Sequence, residues 1–379
     1  MKNFKSALYN EARKAIINNY GIDNYDEFRF GSNSLPLNKK EGRRELLSKK
    51  GIKNLLKASI IPLPDSQKQI FDDFVKQYLP HFEKTWKSLS KKDKSLYVKL
   101  IAFRVLGFRK VKLPRNNAEY WKAIEKAKSL IDWNITLDPQ FLHFLLKKSD
   151  LKDIGYDIEF FFTEKGIAVD FILEQYAYKK KAKTVVGAEE GDVVFDLGAC
   201  WGDTALYFAD KVGDEGKVYS FEFIPGNIEI FNKNILLNPR LNRRIQLIPH
   251  PVTDRAGDSI FFFDNGPGSK VSSESFLEQA GDCTTESIDN FVKQNAIKKV
   301  DYIKMDIEGA EKLALEGAIN TIKRFKPKLA IAIYHSLDDF ATVPTWIMNL
   351  DLNYKIFIDH FSIHAEETIC FAIPQKNNK

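Results

Sequence analysis

The chain has 379 residues, of which 44% are hydrophobic and 28% are charged, which is enough apolar material for more than one core. Its longest apolar runs are too short for a membrane helix, and the N-terminal segment lacks the apolar centre of a signal peptide. The three cysteines, at positions 200, 283 and 370, have no metal-binding spacing and are typical of a reducing compartment. We therefore expect a cytoplasmic protein of two domains.

The charge divides the chain into a basic and an acidic part. Residues 1–150 hold 31 Lys and Arg against 16 Asp and Glu, a net charge of +15, whereas residues 151–379 carry −9. The basic part can dock against the acidic part, or bind an anionic glycolipid, a membrane surface or nucleic acid. It can equally be a set of helices with solvated lysine faces. Lysine outnumbers arginine, and no helix-turn-helix or zinc signature is present, so nucleic acid is the least favoured partner.

The basic part is predicted to be an α-helical domain of residues 1–150. Apolar residues recur there at spacings of three and four, and turn residues separate the periodic segments. Residues 151–185 are predicted to be a connector with a β-hairpin at 157–171, which leads into a domain of residues 186–379. The predicted helices of the first domain cover residues 4–20, 41–56, 66–78, 93–106, 118–131 and 139–148.

A glycine-bearing turn follows the first strand of the second domain. Residues 193–197 are apolar apart from Asp196 and predict a buried strand, and the turn after them contains Gly198, Cys200 and Gly202. Such a turn brings backbone N–H groups and a helix N-terminus close to a ligand. The three-glycine pattern of dinucleotide sites is incomplete, and Asp196 would repel a phosphate. The pattern therefore favours S-adenosylmethionine, with Asp196 at its ammonium group.

A second acidic residue ends the next predicted strand, about twenty residues later. Glu222 is the last residue of the segment 216–222. In doubly wound sheets, a carboxylate at this position accepts hydrogen bonds from the hydroxyls of an adenosine ribose. A third strand begins at residue 245, and Asp254 follows it at the position expected beside the adenine. These residues predict a cofactor crevice along the carboxyl ends of the strands.

A third acidic segment follows the predicted strand 300–305. Asp306 stands at the carboxyl end of this strand, and a predicted helix that opens at Glu308 carries Glu311 on the same face. The apolar strand that begins at residue 327 ends at His335, which should reach the same crevice. The two glutamates can also be ordinary charges that stabilise a helix N-terminus.

Four ordered blocks of the second domain resemble the FkbM family of S-adenosylmethionine-dependent methyltransferases over about residues 155–374. They are Phe195-Asp-Leu-Gly-Ala-Cys-Trp-Gly202, Phe221-Glu-Phe-Ile-Pro-Gly-Asn227, Ile303-Lys-Met-Asp-Ile-Glu-Gly-Ala-Glu311 and Ala330-Ile-Ala-Ile-Tyr-His335. Cys200 stands where the family usually has Asn. The resemblance implies an α/β class I fold, with a Rossmann-like seven-stranded mixed sheet preceded by the helical domain. It also implies O-methylation of a sugar hydroxyl in a glycan, glycolipid or secondary metabolite.

The predicted cofactor-binding residues lie on the turn and at the strand ends. They are Asp196, Gly198, Cys200, Gly202, Glu222, Asp254 and Asp306. We assign no metal ligand, although Asp306 together with Glu308 or Asp254 can alternatively hold Mg²⁺.

Methyl transfer needs few catalytic groups, because the sulfonium is a good leaving group and the protein mainly aligns the reactants. The acceptor alcohol needs a base, and His335 and Asp306 are the candidates because both end strands at the crevice. Two other functions stay open. One is a ribose methyltransferase that binds RNA through the basic domain, and the other is a non-catalytic scaffold of the same fold.

Overall fold

The computed structural model describes residues 3–15, 18–26, 63–141, 144–264, 266–272, 274 and 281–375. The chain divides by its packing into two compact units, Met1–Trp121 with Phe357–Thr368, and Lys122–Ile356 with Ile369–Lys379. The boundaries at residues 150 and 185 remain predictions, and a small sheet that spans residue 150 belongs to the second unit. Within the described residues, no helix is long and apolar enough to cross a membrane.

The first unit is helical around an aromatic core. Phe4 stacks on Phe82 at a ring-centroid distance of 5.8 Å, and Phe82 meets Tyr97 at 6.1 Å, with all three side chains buried. Most of the predicted helices are confirmed, α3 is an additional one, and the predicted helix 41–56 lies outside the described residues. The helices are α1 Phe4–Ala15, α2 Asp65–Val75 with a 3₁₀ turn Lys76–Tyr78, α3 Leu79–Ser88, α4 Lys91–Leu106 and α5 Ala118–Lys128, in which the second unit begins.

The predicted helix 139–148 is wrong. The second unit opens with a three-stranded antiparallel sheet in the order β1 Ile131–Leu137, β2 Leu146–Asp150 and β3 Glu159–Phe162. The central strand β2 pairs with both neighbours along the chain. The hydrogen bonds and side-chain contacts that β2 makes with β1 and β3 outweigh the helical spacing of its own apolar residues.

The predicted hairpin at 157–171 is also wrong, because a helix replaces its second strand. Thr163 accepts a hydrogen bond from the Gly166 N–H at 3.1 Å and caps a helical turn that continues as the π-helix Ile167–Ile172. Residues 167–171 are all buried. Their apolar run therefore lacks the period by which a strand differs from a helix in sequence.

The described residues contain fifteen strands, numbered in chain order, and seven of them form one mixed sheet, as predicted. The strands after β3 are β4 Tyr178–Lys180, β5 Lys183–Val186, β6 Val193–Leu197, β7 Lys217–Phe221, β8 Ile245–Ile248, β9 Ser259–Phe263, β10 Lys270–Ser272, β11 Gly281–Thr284, β12 Tyr302–Met305, β13 Lys328–Ala332, β14 Tyr354–His360 and β15 Thr368–Pro374. The sheet order is β14, β15, β13, β12, β6, β7, β8, and β10, β9 and β11 form a smaller antiparallel sheet.

The order of the large sheet fixes where a ligand can bind. The pairs from β13 to β8 are parallel, whereas β15 runs antiparallel to β13. The chain leaves β6 towards β7 and returns on the other side at β12, so the crevice beyond the carboxyl ends of β6 and β12 is a topological switch point. The connecting helices are α6 Asp203–Lys211, α7 Pro225–Leu236, α8 Pro239–Asn242, α9 Ile288–Gln294, α10 Glu311–Glu316, α11 Ile319–Phe325 and α12 Leu337–Asn349.

Two opposite charges lie inside this sheet. Asp196 of β6 and Lys304 of β12 are register partners, only 0% and 1% exposed, and Lys304 Nζ lies 3.1 Å from Asp196 Oδ1. Lys304 Nζ also donates to the carbonyl oxygens of Leu197 at 3.2 Å and Gly198 at 2.6 Å. Burial alone lowers the pKa of Lys304, but the carboxylates of Asp196 and Asp306 reverse this and raise it. The charged lysine therefore ties the two central strands to the turn that follows β6.

Replacing Lys304 with methionine should destabilise the fold strongly, because Asp196 then remains buried without its partner. Breaking a buried ion pair costs about 3–5 kcal/mol, and we expect a loss of this size in the free energy of unfolding by urea. Lys299→Met is the matched control, since Lys299 is 54% exposed beside Asp301 and exposed pairs contribute about 0–1 kcal/mol. The double variant Asp196→Leu/Lys304→Met should recover part of the loss, because it removes the unpaired charge but leaves the hydroxyls of Thr204 and Ser220 without their acceptor. Equal effects of Lys304→Met and Lys299→Met would contradict the role of the pair.

Candidate active site

The turn after β6 requires glycine at two positions. Gly198 has a φ of +83°, and a Cβ there would lie 1.9 Å from the carbonyl oxygen of Asp306. Gly202 has a φ of +87° immediately before α6, and a Cβ there would lie 3.1 Å from the Phe231 ring. The Gly198 N–H donates to the Phe221 carbonyl oxygen at 3.0 Å. The turn is therefore packed against the ends of both strands that flank β6, which leaves no room for a side chain at Gly198.

The Asp196 carboxylate already has hydrogen-bond and ion-pair partners within the protein. Its carboxylate accepts hydrogen bonds from the Thr204 hydroxyl at 3.0 and 2.9 Å and from the Ser220 hydroxyl at 3.4 Å, in addition to the Lys304 ion pair. The contact with a cofactor ammonium stays a prediction. In this structure the carboxylate instead holds together the elements that form the turn.

A second buried carboxyl group, Asp203, lies at the first residue of α6. Burial raises its pKa, the charge of Lys304 partly offsets this, and Asp170 of the π-helix is hydrogen-bonded to it. Asp203 Oδ1 is buried without a hydrogen-bond partner. Cys200 stands in the turn itself at a φ of +43°, and burial followed by the charges of Asp203 and Glu222 raises the pKa of its thiol. The turn is thus lined by acidic groups, and its cysteine is a poor nucleophile.

Glu222 follows β7 and is 7% exposed. Its Oε1 accepts the N–H groups of Phe223 at 2.7 Å and Ile224 at 2.8 Å, and its Oε2 accepts the Asn227 side-chain amide at 3.3 Å. Burial raises the pKa of Glu222 to about 7, although these hydrogen bonds act in the opposite direction. The Cys200 backbone also hydrogen-bonds to this carboxylate, so a ribose hydroxyl at Glu222 would share its acceptor sites with these donors.

Asp306 follows β12, on the other side of β6 from Glu222. The Tyr176 hydroxyl donates to its Oδ2 at 2.8 Å, and the Tyr334 hydroxyl donates to its Oδ1 at 3.0 Å. His335 Nε2 lies 3.3 Å from the same Oδ1. The structure therefore brings Asp306 and His335, which come from separate sequence blocks, into one cluster as the sequence suggested.

His335 is surrounded by carboxylates. Its Nδ1 lies 3.0 Å from Glu311 Oε1, and its Nε2 lies 3.7 Å from Glu308 Oε1. Burial lowers the pKa of His335, but its contacts with Glu308 and Glu311 and the charge of Asp306 outweigh burial and raise it to about 11. An imidazolium has no lone pair with which to accept a proton. The cluster therefore disfavours His335 as the resting base, which leaves Asp306 as the other predicted candidate.

One detail of this segment differs from the sequence prediction. The helix opens at Glu311 instead of Glu308, which has a φ of +53° in the preceding turn. Asp254 is 38% exposed and pairs with Arg255 at 3.4 Å. Among the residues that the structure describes, the group whose ligand atoms converge is Asp306, Glu311 and His335. Glu311 thus takes the place that the sequence gave to Glu308 or Asp254.

Several residues of the site are absent from the sequence predictions, and Asp203 at the start of α6 is one of them. Tyr176 and Tyr334 contact Asp306, and Lys304 pairs with Asp196. A lysine inside an apolar strand, three residues from a site aspartate, is a signal that could have revealed the ion pair. Tyr176 has no such signal, because it lies 130 positions from Asp306 and only the fold brings them together.

The comparisons with known proteins give one family. Residues 186–356 match the family model of the methyltransferase FkbM domain, and no curated protein matches the chain. A solved FkbM methyltransferase from Methylobacillus flagellatus KT is 15% identical, covers 97% of this chain and 95% of its own, and has a TM-score of 0.48. Aeropyrum pernix fibrillarin with natively bound S-adenosyl-L-methionine is 14% identical, covers 60% and 94%, and has a TM-score of 0.33. The fibrillarin pre-rRNA processing protein of Methanococcus jannaschii is 17% identical, covers 61% and 90%, and has a TM-score of 0.36.

In the metal-free protein, His335 should stay protonated well above the pH at which an ordinary histidine titrates, about 6.5. We expect its NMR ring signals, recorded with EDTA, to remain those of an imidazolium through about pH 9. Glu311→Gln should lower the pKa of His335 by at least about one unit, because it removes the negative charge beside Nδ1. Glu316→Gln on the same helix is the control, since Glu316 accepts from Trp346 instead. Titration of wild-type His335 near the ordinary value would contradict the assignment.

Proposed function

Because residues 186–356 form a methyltransferase FkbM domain, we propose that this S-adenosylmethionine-dependent methyltransferase acts on a sugar hydroxyl of a glycan, glycolipid or secondary metabolite. One observation carries the proposal. Glu222 and Asp306 end the two strands on either side of β6 and its glycine turn. One carboxylate is therefore available to the cofactor ribose and the other to the acceptor. The sugar acceptor is supported by the family resemblance of the four sequence blocks.

We propose that the cofactor lies over the turn from Gly198 to Gly202, with its ribose hydroxyls on Glu222. The position of Glu222 directly after β7, beside the turn that follows β6, supports the ribose contact. The close approach that both glycines permit supports the position of the methionine moiety. The adenine would lie near Asp254, as the sequence suggested.

The ammonium group of the cofactor has two candidate partners. Asp196 already holds Lys304, whereas Asp203 has a buried Oδ1 without a partner. We therefore propose that Asp203 accepts a hydrogen bond from the cofactor ammonium and that Asp196 holds the turn in place. Cys200 would contact the same end of the cofactor through its backbone.

The proposed reaction is an in-line displacement. The acceptor oxygen attacks the methyl carbon, the C–O bond forms as the C–S bond breaks, and the electron pair of that bond stays on sulfur to give S-adenosylhomocysteine. The hydroxyl proton passes to Asp306. Tyr176 and Tyr334 orient its carboxylate by hydrogen bonds, and the positive charge of His335 lies 3.3 Å away. His335 thus acts in the proposal as a positioning residue.

We also propose where the enzyme acts: at an anionic glycolipid or membrane surface, in a reducing compartment. The net charge of +15 on residues 1–150 supports contact with an anionic glycolipid or membrane surface. The cysteines at positions 200, 283 and 370 are free, which supports a reducing compartment such as the cytoplasm.

The function is tested with methyl-labelled S-adenosylmethionine and three separate acceptor sets: oligosaccharides, glycolipids and RNA. Label in a sugar of the first two sets supports the proposal. Label in RNA alone would replace the proposed acceptor with an RNA ribose. Binding of S-adenosylhomocysteine without any transfer would favour a non-catalytic scaffold, and a lack of binding would overturn the enzymatic proposal.

Glu222→Gln should weaken the binding of S-adenosylhomocysteine by at least about 10-fold, because hydrogen bonds to a charged group contribute about 1.5–3 kcal/mol. Since the pKa of Glu222 is about 7, the carboxylate becomes ionised, and a better acceptor, as the pH rises from about 6 to about 8. Wild-type affinity, measured by calorimetry, should therefore increase over this range, and Glu222→Gln should lose that increase. Glu229→Gln on the following helix, α7, is the control, because Glu229 is exposed and pairs with Lys233. Unchanged affinity in Glu222→Gln would contradict the ribose assignment.

Asp306→Asn should reduce kcat by about 10²–10⁴-fold, because the amide cannot take the hydroxyl proton. Its affinity for S-adenosylhomocysteine should change by less than about 3-fold, since the other cofactor contacts remain. Asp338→Asn is the control for a nearby charge, because Asp338 is exposed and pairs with Lys312. A wild-type kcat in Asp306→Asn would remove Asp306 as the base.

A further inference from the structure

The side chains around His335 carry an excess of negative charge. The ring nitrogens face Glu311, Asp306 and Glu308 at 3.0, 3.3 and 3.7 Å. Even a protonated His335 therefore leaves the three facing carboxylates with a net negative charge.

The lysines near this cluster already have partners. Lys304 pairs with Asp196 at 3.1 Å, and Lys312 pairs with Asp338. Each lysine thus makes its direct ion pair with a carboxylate outside the group that faces His335, although the charge of Lys304 also interacts with Asp306. A cluster of this charge and burial attracts a further cation.

Two members of the cluster also contain buried atoms without hydrogen-bond partners. Glu311 is 0% exposed, and its Oε2 has no partner. The His335 side chain is 9% exposed, and its ring nitrogens, although close to carboxylates, make no well-aligned hydrogen bond. Buried polar atoms are nearly always satisfied in proteins, so this arrangement requires an explanation such as an ion.

One ligand atom from each of three side chains in this cluster lies close to the other two. An oxygen of Asp306, an oxygen of Glu311 and a ring nitrogen of His335 lie within 4.8 Å of one another. This separation is close to twice a typical metal–ligand bond of about 2.1–2.4 Å, so a single ion can reach all three. We propose that Asp306, Glu311 and His335 bind one divalent cation through two carboxylates and an imidazole.

The donor set indicates which ions suit the site. Carboxylates suit Mg²⁺ and Mn²⁺, whereas an imidazole favours a transition metal, so Mn²⁺ fits both donor types. Glu308 is 50% exposed at the edge of the cluster and can hold a water of the ion. Asp306 keeps its Oδ2, with the Tyr176 hydroxyl at 2.8 Å, outside the proposed coordination through Oδ1.

This inference rests on the proposed function and adds a reason why a carboxylate base suffices there. Carboxylates are weak bases towards alcohols. A divalent cation lowers the pKa of an oxygen bound to it, so an acceptor hydroxyl at the ion would release its proton more readily. The site would then select acceptors that present a hydroxyl oxygen to the cation.

The test measures Mn²⁺ binding by electron paramagnetic resonance to the full chain after EDTA treatment and gel filtration. We expect wild type to bind one Mn²⁺ per chain, with Mg²⁺ competing at higher concentration. Glu311→Gln and His335→Asn should each weaken Mn²⁺ binding by at least about 10-fold, with circular dichroism confirming that both variants fold. Asp338→Asn is the matched control, because it removes a nearby exposed carboxylate that lies outside the donor set.

Calorimetry with S-adenosylhomocysteine on the same samples separates this inference from the proposed function. Absence of stoichiometric Mn²⁺ binding to wild type, or binding that survives both Glu311→Gln and His335→Asn, would overturn the cation site. If such a protein still binds S-adenosylhomocysteine and methylates its acceptor in EDTA, the proposed function stands without it. If Mn²⁺ binds as expected but the cofactor analogue does not, the cation site stands and the proposed function fails.

Discussion

The buried ion pair between Asp196 and Lys304 is the interaction on which the candidate site depends. It lies between the two strands that form the switch point of the sheet, and Lys304 also donates to the carbonyl oxygens of Leu197 and Gly198. A charge without its partner at this depth would be strongly unfavourable, so each residue requires the other. The ion pair therefore fixes the position of the turn that begins at Gly198.

This constraint changes the role of the first acidic residue of the site. Asp196 stands where a carboxylate can reach a cofactor ammonium, yet its oxygens are filled by Lys304, Thr204 and Ser220. In our proposal, Asp203 at the start of α6 therefore accepts the hydrogen bond from the cofactor ammonium. The carboxylate of the motif supports the site without needing to contact the ligand.

The carboxylates on the two sides of β6 have different environments, and this difference matches the roles proposed for them. Glu222 is buried on backbone N–H groups, which fix its orientation for a neutral diol. Asp306 is held by two tyrosine hydroxyls beside a charged histidine, in a cluster with a surplus of carboxylates. The first environment suits binding, and the second suits proton transfer and, in the further inference, a cation.

Much of this arrangement could be predicted from the sequence. The strand ends at Asp196, Glu222 and Asp306 were readable because buried parallel strands are apolar and end in conspicuous polar residues. The segments around β2 and the π-helix were not, because distant strand pairing decides the first and uniform burial hides the period of the second. The state of His335 was also beyond the sequence, since it depends on Glu311 and Glu308 being brought to its two ring nitrogens.

The most direct test of the account is a crystal structure of the full chain with S-adenosylhomocysteine. We expect the ribose hydroxyls on Glu222, the homocysteine over the turn from Gly198 to Gly202, and the sulfur facing Asp306 across the switch point. A ligand bound elsewhere, or a ribose without contact to Glu222, would contradict the assignment of the crevice.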